Sequence, residues 1–157
     1  IDSLKKRQPP FSTRRGRIVY GGGGITPDVY IPWDLDLKPA TRKILADPNR
    51  PMFNWSATFV RSHMDIPEHY RKFQQNWELP VNALEEFLEF ATKDYNKNEK
   101  EEALKNNVYL KTILKSEIAG AKWGRDELWG VRVTADNQIL DALKHFNEAD
   151  AFLANSY

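Results

Sequence analysis

The spacing of apolar residues changes once along this chain, and the change limits what each side can become. Five of the eight glycines and the Pro9-Pro10 pair lie at or before position 24. From about Trp33 onward glycine is rare and apolar residues recur three and four apart, the period of helices buried on one face. The sequence therefore predicts a mainly α fold: a short β segment with a linker and a glycine-rich turn over 1–34, then an all-α bundle over 35–157.

The opening IDSLKKRQPPFSTRRGR has no initiator methionine and no apolar periodicity, and it reads as a linker within a longer protein. Its prolines block both a helix and a central strand. Ile18-Val19-Tyr20 and Ile25–Ile31 are β-type runs on either side of Gly21–Gly24. Val29 and Ile31 fall on one strand face, and Pro27, having no amide donor, belongs at an edge or a strand start.

The clearest helix starts at Asn82-Ala83-Leu84-Glu85, where the spacing predicts a capping box between Asn82 and Glu85. Leu84, Phe87, Leu88, Ala91 and Tyr95 then fall on one face, with Glu85, Glu86, Glu89 and Lys93 turned to water. A second long helix is expected from Glu99 to Lys122, buried through Leu110, Ile113, Leu114, Ile118 and Ala121 and stopped by Gly124. Asp136 is placed to cap a helix containing Ile139, Leu140, Leu143 and Phe146, followed by a short one over 149–153. Shorter helices are expected over 39–46, 53–64 and 67–77, bounded by Pro48, Pro51, Pro67 and Pro80.

With 41% hydrophobic and 29% charged residues, the composition is that of an ordinary globular chain. No apolar run approaches the roughly 20 residues that cross a bilayer, so no membrane-spanning segment is expected. The net charge of +1 argues against nucleic acid as a general partner, because phosphate binding draws on a basic excess. The absence of cysteine removes disulfides, thiolate zinc sites and a thiol nucleophile.

No catalytic, cofactor-binding or metal residue can be assigned from motifs. Gly21–Gly24 runs into Ile25-Thr26-Pro27-Asp28, not into the Gly-Lys-Ser/Thr or G-x-G-x-x-G that cradles phosphates, so a tight turn or close backbone approach is the expected role. His63 and His69, with Asp65 and Glu68 nearby, are interrupted by Pro67 and do not make H-E-x-x-H, and His145 is remote. No G-x-S-x-G occurs. Ser56, Ser62 and Ser116 lie in helical patterns, and Lys115 beside Ser116 points to another helix face. The five tryptophans are read mainly as packing residues, with Trp123 and Trp129 bracketing GRDEL as a candidate exposed pair.

The stretch RGRIVYGGGGITPDVYIP resembles the end of the protease core in carboxy-terminal (tail-specific) processing proteases, where a G-G-G-I-x-P-D-V sequence enters a strand. VYGGGGI is similar to the Bacteroidetes-type members, and LEEFLEFATKDY and LKTILKSEIAGAKWG resemble their helical tail. The resemblance implies a parent serine endopeptidase with a Ser/Lys dyad and a PDZ domain, placed in the periplasm or cell envelope and cutting proteins near their C-termini. Its dyad would lie upstream, because no GSASAS-like motif is present here. Gly21, Gly22, Gly23, Gly24, Ile25, Pro27 and Asp28 match the segment, with support of the core as their implied role.

On that resemblance the chain is a non-catalytic accessory region without cofactors, whose partners are protein substrates reached through the parent enzyme. Three roles are open to its helices: support of the core, homo-oligomer formation, and help in receiving substrate. The alternative is a stand-alone helical protein-interaction module, docking through exposed tryptophans and the basic N-terminal arm. Strands cut from their sheet leave unpaired backbone groups, so residues 18–31 are expected to be disordered, paired as a local hairpin, or paired with another copy.

Overall fold

The computed structural model of the chain describes residues 9–14, 16, 18–21, 27, 29–33 and 35–154, with side chains to residue 151. Gly22–Gly24, Ile25, Thr26 and Asp28, on which much of the resemblance rests, lie outside the described residues. The fold is mainly helical, with a single two-stranded sheet among the described residues. The chain divides into two compact units, one of Leu35–Asp136 and the other of Ile1–Asp34 with Asn137–Tyr157.

The Leu35–Asp136 unit holds helices α1 (Pro39–Leu45), α2 (Pro51–Ser62), α3 (Tyr70–Asn76), α4 (Ala83–Ala91), α5 (Lys97–Leu104), α6 (Asn107–Lys122) and α7 (Arg125–Arg132). Pro39 and Pro51 open their helices, where the missing amide costs nothing. The predicted stripe of α4 is buried at Leu84, Phe87 and Leu88, with Tyr95 packed against the core beyond the helix end. The α6 stripe is buried at Leu110, Ile113, Leu114 and Ile118, with Ala119 taking the inner position expected of Ala121.

Aromatic rings join these helices. Trp55 stacks on Phe59 with centroids 4.8 Å apart and meets Phe87 edge-on at 5.8 Å, while Phe73 stacks on Trp77 at 4.7 Å. Such pairs add directional energy to plain burial.

Three local expectations are corrected. Asn82 does not form a capping box: its Nδ2 donates to Glu86 Oε1 at 2.6 Å and its backbone is already helical. The box forms at Asn96 instead, whose Oδ1 accepts from the Glu99 amide at 3.0 Å while Glu99 Oε2 accepts from the Asn96 amide at 2.9 Å.

The long helix expected over 99–122 breaks at Lys105-Asn106. Lys38, at the N-cap of α1, offers no capping side chain, and the start of α1 draws its acceptors from far along the sequence. Asn106 Oδ1 accepts from the Lys38 amide at 2.8 Å and from Thr41 Oγ at 2.9 Å, and Glu102 Oε2 accepts from the Ala40 amide at 3.1 Å. Asn106 Nδ2 returns a bond to the Asp36 carbonyl at 2.9 Å. Bonds that satisfy the free amides of one helix thus take precedence over continuity of another.

The third correction is a helix absent from the expectation, α7. Gly124, at φ 127°, stops the chain just after α6 and starts α7, a backbone conformation that suits glycine.

In the other unit, β1 (Pro10–Ser12) pairs antiparallel with β2 (Ile18–Tyr20), with Phe11 opposite Val19. A local hairpin thus forms, but the partner of Ile18–Tyr20 lies upstream; the described part of the expected second β run, Pro27 and Val29–Ile31, is not strand. Pro10 begins its strand, where a missing donor is tolerated.

Helices α8 (Asn137–Ala142) and α9 (Phe146–Ala154) flank a 3-10 turn, Leu143–His145. Asn137 Nδ2 donates to the Pro32 carbonyl at 3.1 Å and Gln138 Nε2 to the Ile31 carbonyl at 2.7 Å. These bonds tie α8 to the N-terminal segment, so the domain expected over 35–157 divides after Asp136. Ile139, Leu140, Leu143 and Phe146, expected in one helix, fall in α8, the 3-10 turn and the start of α9, and are exposed.

Candidate functional site

Lys115 and Ser116, weighed as chemistry in the sequence, are held in structural contacts. Lys115 Nζ donates to the carbonyls of Gln74 at 3.1 Å and Trp77 at 2.6 Å, closing the end of α3. Burial pushes its pKa below the ordinary lysine value. Ser116 Oγ donates to the Ile113 carbonyl at 2.7 Å and accepts from Arg132 Nε at 3.2 Å. The two neighbours face different elements.

Ser56 is buried in α2 with no hydrogen-bond partner for its hydroxyl among the described residues, and Ser62 Oγ donates to the Thr58 carbonyl at 3.2 Å. The His63 ring stacks on Phe59 at 3.7 Å, whereas His69 is exposed at the start of α3. Among the described residues no group of three His, Asp or Glu side chains is placed to hold a metal ion.

Gly21 is a close backbone approach, since a Cβ there would meet the Phe11 ring at 2.6 Å. Of the tryptophans, Trp55 and Trp77 are buried and Trp123 packs on the core, while Trp33 and Trp129 are exposed. No helix among the described residues is long and apolar enough to cross a membrane.

Among the described residues, one arrangement open to a ligand is a cleft between the start of α2 and the pair α6 and α7, with a volume of about 390 Å³. Its α2 wall begins at Arg50, in the left-handed backbone region at φ 52° and ψ 55°. That conformation costs a non-glycine residue about 1–2 kcal/mol. The following Pro51 disfavours the right-handed alternative, and the Arg50 carbonyl accepts from the Asn54 amide at 3.1 Å. The Arg50 guanidinium lies 4.5 Å from the Phe53 ring centroid.

The opposite wall is α7, where Arg125, Trp129 and Arg132 recur at i, i+4 and i+7 and so share one face. Glu117, Gly120 and Ala121 of α6 line the cleft between these walls. Gly120 lets α7 approach, since a Cβ there would meet Leu128 Cδ1 at 2.9 Å.

Arg132 is fully committed. Its Nη2 pairs with Glu117 Oε1 at 2.8 Å, Nε bonds Ser116, and the guanidinium carbon lies 5.2 Å from the Trp129 ring centroid. Among the described residues the guanidinium groups of Arg50 and Arg125 have no carboxylate partner. With Arg132 and Glu117 cancelling, the cleft carries a charge of about +2. Phe53 (43% exposed) and Trp129 (47%) give it apolar sides. A second depression, about 150 Å³, adjoins the first through Arg50, Phe53, Glu117 and Arg132 and extends toward Leu45 and Asp47.

The sequence held a trace of this site. RDELWGVR places two arginines and a tryptophan on one helical face, but only once the segment is recognised as a helix. No family model, curated protein or solved structure matches the chain.

Proposed function

We propose that this chain is a non-catalytic helical accessory region of a carboxy-terminal (tail-specific) processing protease, a Ser/Lys serine endopeptidase of the periplasm or cell envelope. The observation that carries the reading is the sequence RGRIVYGGGGITPDVYIP, which resembles the end of the protease core. Phe11, Ile18, Tyr30, Trp33, Leu143 and Phe146, all in the unit containing residues 20–29, are exposed apolar side chains that another body would cover in this reading. In this reading that body is the upstream protease core, with the Leu35–Asp136 helices carried beside it to support the core, receive substrate or self-associate.

The test compares the isolated chain with its full parent polypeptide on an unfolded protein substrate. The parent cuts and the isolated chain does not. Cleavage by the isolated chain overturns the proposal, as does an initiator codon directly before Ile1 in the gene.

The cleft between Arg50 and Arg125 favours a second reading, a helical protein-interaction module. An export signal, a PDZ-like region and a Ser/Lys dyad in the same reading frame upstream decide for the protease.

A further inference from the structure

We propose that the cleft between α2 and α7 is a docking site for an acidic peptide segment of a partner protein, its carboxylates held by Arg50 and Arg125 and an adjoining apolar side chain lying between Phe53 and Trp129. The inference stands on the cleft alone and does not depend on a protease parent.

Charge selects the class of occupant. The Arg132–Glu117 pair is closed on itself, whereas Arg50 and Arg125 lack a carboxylate among the described residues. A guanidinium presents a planar fork that matches a carboxylate through two parallel N–H donors. The Arg50 guanidinium carbon lies 4.5 Å from the Phe53 ring centroid, within reach of a cation–π contact that needs none of its N–H donors. The left-handed backbone at Arg50 holds that side chain at the cleft despite its conformational cost, as strained residues at binding sites often do.

Shape selects a chain segment over a small molecule. The cleft lies on the surface and adjoins the second depression, the two sharing Arg50, Phe53, Glu117 and Arg132, so together they offer a longer surface than one pocket. Asp47 lines only the second depression and offsets the charge there, so the acidic residues of the occupant belong in the first cleft, between Arg50 and Arg125. Nucleic acid is disfavoured because the positive charge is confined to these few groups on a chain of net charge +1.

The test titrates a fluorescein-labelled peptide of alternating Glu and Leu into the protein, alongside the same peptide with Gln for Glu and a labelled single-stranded oligonucleotide. The acidic peptide binds, and added salt weakens it. The Arg50→Asn/Arg125→Gln double variant, in which Asn tolerates the left-handed backbone, binds it about tenfold more weakly with an unchanged circular dichroism spectrum. Should the double variant fail to fold, Arg125→Glu on the exposed start of α7 serves instead, losing the Glu peptide and gaining a Lys counterpart. Equal binding of the Gln peptide, equal binding by the variants, or an oligonucleotide bound as tightly through the same arginines overturns the proposal.

Discussion

Gly130 faces Tyr70 so closely that a Cβ on the glycine would fall against the phenol oxygen, well inside the 3.0 Å that real Cβ contacts respect. Tyr70 cannot readily withdraw. Its hydroxyl donates to the Glu127 carbonyl at 3.1 Å and its ring meets Trp123 edge-on at 5.7 Å. Gly130→Ala should therefore destabilise the protein by about 1–3 kcal/mol in urea unfolding. In a Tyr70→Phe background the same change should cost less, because the clashing oxygen is gone. Strict additivity in the double-mutant cycle would refute this account of the contact.

Lys115 closes α3 from a neighbouring helix, so Lys115→Met should lower stability at neutral pH by about 1 kcal/mol. The pH dependence adds a second readout. Burial lowers the folded pKa beneath the ordinary 10.5, so between the two values the unfolded chain binds more protons than the folded one. Wild-type stability relative to the Met variant should then rise as pH increases through the folded pKa toward 10.5. A falling difference over that range would contradict the burial of the ammonium.

Glu99 behaves in the opposite sense. The Asn96 amide first, and then Lys43 at 3.0 Å, hold its carboxyl below the ordinary 4.5. Its contribution is complete above 4.5 and is lost as pH falls through the folded value. Glu99→Gln should flatten that part of the acid unfolding curve. Superimposable wild-type and variant curves below pH 4.5 would show that the capping box is not titrating.

Ser56 buries a hydroxyl with no partner among the described residues, a cost that an apolar side chain avoids. Ser56→Ala should raise stability by about 1 kcal/mol by thermal or urea unfolding. A loss of similar size would mean that the hydroxyl has a partner in solution.

Amide hydrogen exchange should rank the two units. The central helices α2 and α6, with Phe59, Leu110, Leu114 and Ile118 buried, should exchange slowest. The β1–β2 pair should exchange fast, since an isolated two-stranded hairpin is marginal in water. The reverse order in a monomer would refute the division of the chain.

The sequence discloses the stripes of α4 and α6 because each is local: residues three and four apart report their common face without reference to the rest of the chain. It hides the break at Asn106, whose cause lies in the amides at the start of α1. The capping box went to the wrong asparagine for a similar reason, since Asn82 and Asn96 both precede a glutamate by three residues and only the backbone distinguishes them. The cleft was the least legible feature. Arg50 and Arg125 are far apart in sequence, and the helix carrying one of them is short, polar and bounded by a glycine.

Because Asn106 and Glu102 supply the acceptors at the start of α1, the order of events at the ribosome is constrained. When residues 39–45 emerge, the groups that complete them are still unsynthesised, more than 60 positions away. A nascent chain ending before Asn106 therefore carries α1 as an uncompleted turn that can fray and re-form. Fixation of α1 becomes a late step, paid for in loop-closure entropy, and slow translation just upstream of residue 106 would prolong the exposure of Ile44 to chaperones and proteases.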